Sequence, residues 1–122
     1  MFSKTTNEVI RLKSKKAIET LFAEGSHKRK KPLKLVCVAD DSGQLALGFG
    51  VSKRNFPRAV DRNKIKRLMR EQFKSLGTKQ DYVVFSGRGF FIYEQTELPT
   101  LDALEKPMRH LIAQWRSSAE VS

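Results

Sequence analysis

The sequence predicts a single α/β (α+β) two-layer sandwich, a small central sheet of about four strands covered by helices in the coarse order αβββαβα. Three observations carry that expectation. The 122 residues suit one domain, and 39% hydrophobic content with eight Phe, two Tyr and one Trp is enough to fill one core. Apolar residues recur at helical spacing in some stretches and with a period of two, or as short runs, in others. Strand-like segments lie before and after the most basic helix, giving a β-α-β connection typical of parallel strands.

The first helix reads from Ser14, a good N-cap, to Gly25, just past its end, with Ala17, Ile18, Leu21 and Phe22 on one face. HKRKKP, ending at Pro32, is expected to be a charged loop. Leu33 to Ala39 (LKLVCVA) is strand-like, and Asp40 to Gly43 is a turn cluster. Gln44 to Val51 alternates: Leu45, Leu47, Phe49 and Val51 share one face, while Ala46, Gly48 and Gly50 share the other. That nearly bare face admits close approach by a neighbouring element or a ligand. The two strands are expected to pair as a hairpin.

Pro57 holds Phe56 away from helical dihedrals, so a helix is expected from Ala59 to Leu76, closed by Gly77. Asp81 to Ser86 reads as a strand and Gly87 to Gly89 as a loop. Thr100 is the expected N-cap of a last helix that presents Leu101, Leu104, Met108, Leu111, Ile112 and Trp115 on one face, with Pro107 kinking it or delaying its start. Residues 1–10 and 117–122 are expected to be flexible ends of a single domain, 1–122. The helices should cover one face of the sheet, leaving the other free to stay open.

The net charge of +11 is unevenly placed. Val51 to Ser75 holds nine Lys and Arg against Asp61 and Glu71, and Ser26 to Lys34 holds five with no acid, so the rest of the chain nets −1. Charge sorted into two segments on a near-neutral body points to a polyanionic partner. On a helical wheel, Ile65, Leu68, Met69, Phe73 and Leu76 form an apolar arc that must face the sheet. Asn63, Lys66, Arg67, Arg70 and Lys74 lie on the outer arc, Lys64 farther round, and Arg62 at the seam, where its stem can rest on apolar surface. Arg62 with Lys66, and Lys66 with Arg70, are like-charge i, i+4 pairs, each costing a few tenths of a kcal/mol, which a purely structural helix has no reason to keep.

The apolar arc is needed for the core, which argues against a membrane-lying helix. No apolar run approaches the roughly 18 residues of a membrane span, and Met1 to Leu12 lacks the apolar core of a secretory signal, so the chain is expected in the cytoplasm. Duplex DNA is disfavoured as well, because a strand and a Pro-bearing loop, not a second helix, precede the basic helix. RNA fits better: Lys and Arg neutralise phosphates, Asn63 can donate and accept, and Ile18, Phe22, Phe56 and Tyr82 offer groups to a single strand. Cys37, the only cysteine, reads as a small buried hydrophobe. No catalytic constellation and no metal-ligand spacing stands out, since His27 and His110 are far apart and no carboxylates cluster.

VSKRNFPRAVDRNKIKRLMREQF, Val51 to Phe73, closely resembles the signature of the bacterial ribonuclease P protein family, V-S/A-K-K, several residues, A-V/H, R-N-R-x-K-R, then L-x-R-E/Q. The likeness extends to RLKSKKAIETLF, LGFGVSK, DYVVFSGRG and LDALEKPMRHLI, and so covers nearly the whole chain. It implies a left-handed crossover through the basic helix, against the usual right-handed rule. It also implies an endoribonuclease subunit: a protein that binds a large catalytic RNA, one chain to one RNA, and the 5′ leader of precursor tRNA. The RNA carries the active site with its Mg²⁺ ions, and the polypeptide has no cofactor, metal site or catalytic residue of its own.

Carried over position by position, the resemblance assigns Arg62, Asn63, Lys64, Lys66, Arg67 and Arg70 to the catalytic RNA, with Lys53, Arg54 and Arg58 extending that surface. Ile18, Phe22 and Val36 are assigned to the leader. Two positions depart from the family pattern. Lys64 replaces the second Arg of the R-N-R triplet, keeping charge but losing a planar fork, and Ile18 replaces an aromatic, so stacking there becomes apolar contact. A different role that also suits a small basic α/β domain is that of a structural ribosomal or rRNA-binding protein.

Overall fold

The computed structural model describes residues 8–80 and 86–121. The elements follow as β1 (Glu8–Arg11), α1 (Lys15–Glu24), β2 (Ser26–Lys30), β3 (Leu33–Asp40), β4 (Gln44–Val51), α2 (Ala59–Gln80), β5 (Ser86–Tyr93) and α3 (Leu101–Val121). The strands form one mixed sheet in the order β1-β4-β5-β3-β2. β1 and β5 run parallel to β4, whereas β5 and β2 run antiparallel to β3. The α+β class holds, and α2 is the crossover between the parallel strands β4 and β5.

The strand pairing differs from a simple hairpin. β3 and β4 do not pair; β5 lies between them, with Asp40 opposite Ser86 on one side and Leu45 opposite Gly87 on the other. The turn between β3 and β4 therefore spans two inter-strand spacings, about 10 Å. Asp40 holds it, its Oδ1 accepting from the Ser42 N–H at 3.0 Å and hydroxyl at 2.8 Å, while the Ser86 hydroxyl donates to the Asp40 carbonyl at 2.5 Å.

The expected loop Gly87 to Gly89 is the start of β5. A Cβ at Gly87 would lie 2.2 Å from the Val38 carbonyl oxygen, and one at Gly89 would lie 2.5 Å from the Trp115 ring. These glycines permit close packing within a strand instead of breaking it. The expected strand residues 81–85 lie outside the described residues.

The charged segment after α1 is also a strand. β2 is an edge strand whose side chains are exposed or half-buried throughout, so no apolar alternation announces it. Its ladder with β3 holds it, and its cations discourage further pairing along the free edge. At the opposite edge, Glu8–Arg11 pairs with β4, and the Leu12 N–H donates to the Leu47 carbonyl at 2.7 Å. At the other terminus α3 continues through 117–121.

The helix ends follow their sequence signals with one difference. Ser14 Oγ accepts from the Ala17 N–H at 3.2 Å and Thr100 Oγ1 from the Ala103 N–H at 3.1 Å, both as N-caps. Gly25 closes α1 at φ −79°, an ordinary extended conformation, and is required because a Cβ there would lie 2.7 Å from the Leu21 carbonyl oxygen. α2 runs past Gly77 to Gln80. α3 starts on time and carries Pro107 inside it; the carbonyl that loses its partner belongs to Ala103, an exposed position where water can serve.

The main core lies between one face of the sheet and the pair α2 and α3. Leu33, Leu35, Cys37, Leu45, Leu47, Phe91 and Tyr93 meet Ile65, Met69, Phe73, Leu104, Met108, Leu111 and Trp115 there. Trp115 is fully buried and donates through Nε1 to the Val38 carbonyl at 3.0 Å. The second face is not left bare: α1 seats Leu21 over Val36 and Ala46, with half-buried Ile18, Phe22 and Phe90 around them. β1 pairs only with the first half of β4, so from Gly48 onward the outer edge of β4 has no strand beside it among the described residues. That opening positions the site.

Candidate nucleic-acid interface

α2 begins where Pro57 releases the chain into helical dihedrals. The predicted apolar arc is buried: Ile65, Met69 and Leu76 are fully enclosed, Phe73 nearly so, and Leu68 packs at the margin. Gln72, polar and unforeseen in this arc, is buried because its Nε2 donates to the Leu101 carbonyl at 2.7 Å, tying α2 to the start of α3.

Arg62 is at the seam, as the wheel places it, and is already engaged. Its Nη1 donates to the Phe56 carbonyl at 2.9 Å and the Pro57 carbonyl at 2.8 Å, bracing the loop in which buried Phe56 packs 6.1 Å from the Tyr93 ring. Asn63, Lys66, Arg70 and Lys74, at i, i+3, i+7 and i+11, form a stripe on one side of the helix. Lys64 and Arg67 are exposed off that stripe, Arg67 standing 4.0 Å from Glu71. Lys53, Arg54 and Arg58 are exposed in the loop and at the helix entrance, with Arg58 3.8 Å from Asp61.

The stripe is one wall of a cleft of about 970 Å³ at the open edge of β4. Facing it are Ile18 of α1, Gly48 and Phe49 of β4, Phe90 of β5, and Ile10, Arg11 and Leu12 at the end of β1. Phe90 was not singled out by sequence reasoning. Its ring lies over β4, so that a Cβ at Gly48 would be 2.5 Å from it and one at Gly50 would be 2.7 Å away. The bare face of β4 thus serves a neighbouring ring, which in turn lines the cleft; the paired glycines were the signal that could have pointed to it.

The other residues assigned to a substrate strand are placed differently from Ile18. Phe22 is half-buried between the His27 ring at 6.3 Å and the Phe90 ring at 5.5 Å, both edge-on, and reaches the cleft only through Phe90. Val36 is fully buried beneath α1 and supports the cleft from below. Tyr82 lies outside the described residues. The structure therefore brings Ile18 together with Asn63, Lys66 and Arg70, and leaves Val36 inside the core.

Cations and an amide on one wall, and a facing wall that is apolar except for Arg11, suit a single strand of nucleic acid, with phosphates mainly to one side and bases to the other. No group of three or more His, Cys, Asp or Glu that could hold a metal ion occurs among the described residues. Burial pushes the Cys37 thiol up to about 11, with Lys28 opposing weakly, so it stays a neutral thiol. No described helix is long and apolar enough to cross a membrane.

The Ribonuclease P family model matches residues 7–114. The chain is 33% identical over 102 residues to the ribonuclease P protein component of Nitrosococcus oceani, covering 80% of this chain and 83% of that one. It is 34% identical over 102 residues to that of Chromohalobacter salexigens, covering 79% and 71%. In fold it is similar to the RNase P protein of Thermotoga maritima (TM-score 0.72, 18% identity, 85% of this chain and 96% of that one) and to that of Staphylococcus aureus (TM-score 0.69, 23% identity, 85% and 93%). With the match spanning both the basic helix and the cleft walls, the chain belongs to the Ribonuclease P family of protein components.

Proposed function

We propose that the chain is the protein subunit of ribonuclease P, binding the catalytic RNA and the 5′ leader of precursor tRNA so that the leader is removed to give the mature tRNA 5′ end. The observation that carries this reading is the cleft in which the cationic stripe of α2 faces Ile18 and Phe90. A leader strand laid there meets Lys66 and Arg70 with its phosphates and the apolar wall with its bases. Asn63 can hydrogen-bond a phosphate, sugar or base edge. The outward cations Lys53, Arg54, Arg58, Lys64 and Arg67 then remain for the folded catalytic RNA, with Arg62 shaping the loop that presents them.

In this reading one chain joins one RNA in the cytoplasm, DNA and membranes are not partners, and the β4–α2–β5 crossover is left-handed as in the family. The Mg²⁺ ions would sit on the RNA and would supply the metal-ion chemistry of phosphodiester hydrolysis, while the polypeptide binds and orients. Equilibrium binding tests the substrate half. The complex of chain and catalytic RNA should hold precursor tRNA with a leader more tightly than mature tRNA, and equal affinity for the two would refute leader binding.

A further inference from the structure

The cleft does not use the second basic segment. β2 lies three strand positions from β4, about 14 Å across the sheet, and α3 stands between it and α2 on the main core face. Its side chains divide by face. His27 and Arg29 turn towards α1, where His27 Nε2 hydrogen-bonds with the Phe22 carbonyl at 3.1 Å and Arg29 donates to Glu94 at 2.9 Å. Lys28 and Lys30 turn the other way, towards α3, and neither has an ion-pair partner among the described residues.

Between β2 and α3 runs a groove of about 380 Å³ lined by Lys28 on the strand side and His110, Gln114 and Ser117 on the helix side. The three helix residues, at i, i+4 and i+7, form one stripe, which Lys106 prolongs one turn earlier, as Lys30 prolongs the strand wall. Glu105, the nearest acid on that part of α3, is held by Arg109. A cation beside an imidazole, an amide and a hydroxyl is a donor and acceptor set for phosphate oxygens and 2′-hydroxyls together.

Resting on the reading that the partner is RNA, we propose that this groove is a second RNA-backbone site, engaging a segment different from the strand in the cleft. The two sites lie near opposite edges of the sheet, so the chain clamps between two RNA segments. Electrostatics supplies the affinity, and the Gln114 amide and Ser117 hydroxyl can hydrogen-bond the 2′-hydroxyls that distinguish RNA.

The test uses the full chain with Lys28→Ala/Lys30→Ala, and separately with His110→Ala/Gln114→Ala, which leaves the charge of the edge strand intact. Binding is measured against catalytic RNA alone, and against precursor tRNA added to the preassembled complex, over a range of salt. The lysine pair should weaken binding in one arm about tenfold and reduce its salt slope by about two, and the helix pair should weaken the same arm with little change in slope. Loss in the first arm assigns the groove to the catalytic RNA, and loss in the second assigns it to the substrate. If the wild type binds and Lys66→Ala/Arg70→Ala weakens it while both groove variants match wild type in both arms, the second site is refuted and the cleft stands. Self-association of the lysine variant with unchanged RNA affinity would show that these lysines only guard the strand edge. If the wild type binds neither RNA, the underlying functional reading fails first.

Discussion

Lys66→Ala/Arg70→Ala separates the charged stripe of α2 from its buried arc. Lys66 is half-buried and Arg70 exposed, both line the cleft, and neither has an ion-pair partner among the described residues. Removing them abolishes like-charge i, i+4 pairs with Arg62 and with each other, so folding stability should stay within about 0.5 kcal/mol of wild type or rise slightly. If each cation neutralises one phosphate of a single strand, the slope of log K against log salt falls by about 1.4. Between 50 and 200 mM salt that makes the variant roughly sevenfold less salt-sensitive than wild type, on top of weaker binding at low salt. Arg62→Ala provides the contrast, because Arg62 Nη1 braces two carbonyls of the loop before the helix. Its loss should cost about 1–3 kcal/mol in denaturant unfolding, with the helix entrance loosened. Fluorescence anisotropy with a labelled leader oligonucleotide, paired with thermal and urea melts, reads both quantities. Unfolding of the Lys66/Arg70 variant, or an unchanged salt slope, would refute the assignment of this stripe to phosphate.

Three other changes probe the packing around the site. Phe90→Ala removes the ring that covers Gly48 and meets Phe22 edge-on, and since Phe90 is half-buried the cost should be about 2 kcal/mol, below the 3–5 typical of an enclosed Phe. Leader affinity should fall about tenfold with it, as expected for a lost base contact, and Phe90→Leu should recover part of the stability but less of the binding. Gln72→Ala leaves the link to the Leu101 carbonyl unmade and should cost about 1–2 kcal/mol by urea melt without altering RNA affinity. Cys37 should resist a disulfide reagent at pH 8 in the native chain and react promptly after unfolding. Its folded pKa, raised from 9.0 to about 11, keeps its contribution intact below pH 9 and removes it as pH climbs towards 11, so a Cys37→Ala chain should show a shallower loss of stability over that window.

The main elements were legible where local chemistry states them: the Ser14 and Thr100 caps, the alternation of β4, and the apolar arc of α2. What escaped was decided by neighbours distant in sequence. β2 has no buried face to create a pattern, and its identity as a strand depends on β3. The glycines of β5 read as a loop because their value lies in the Val38 carbonyl and the Trp115 ring that approach them. The short turn at Asp40–Gly43 suggested a hairpin, but nothing local to it tells that β5, some 45 residues later, will be inserted there.

The site divides in the same way. The charged stripe could be placed from helical periodicity alone, so the sequence put Asn63, Lys66 and Arg70 on one side of the helix, the side that lines the cleft. Phe90 was missed because only the fold brings it over β4, and Val36 is interior because α1 closes on it. Arg62 shows the limit of composition, since a cation in a basic run can be committed to backbone carbonyls before any RNA arrives.

The central claim is that this chain makes a catalytic RNA an effective processor of precursor tRNA while contributing binding, not chemistry. Single-turnover cleavage of a leader-bearing precursor tRNA by the catalytic RNA at low Mg²⁺ tests it most directly, with and without the purified chain. A marked rise in cleavage at the mature 5′ end on adding the chain, and none from the chain without RNA, is the predicted result; equal rates with and without it, or cleavage by the protein alone, would contradict the account.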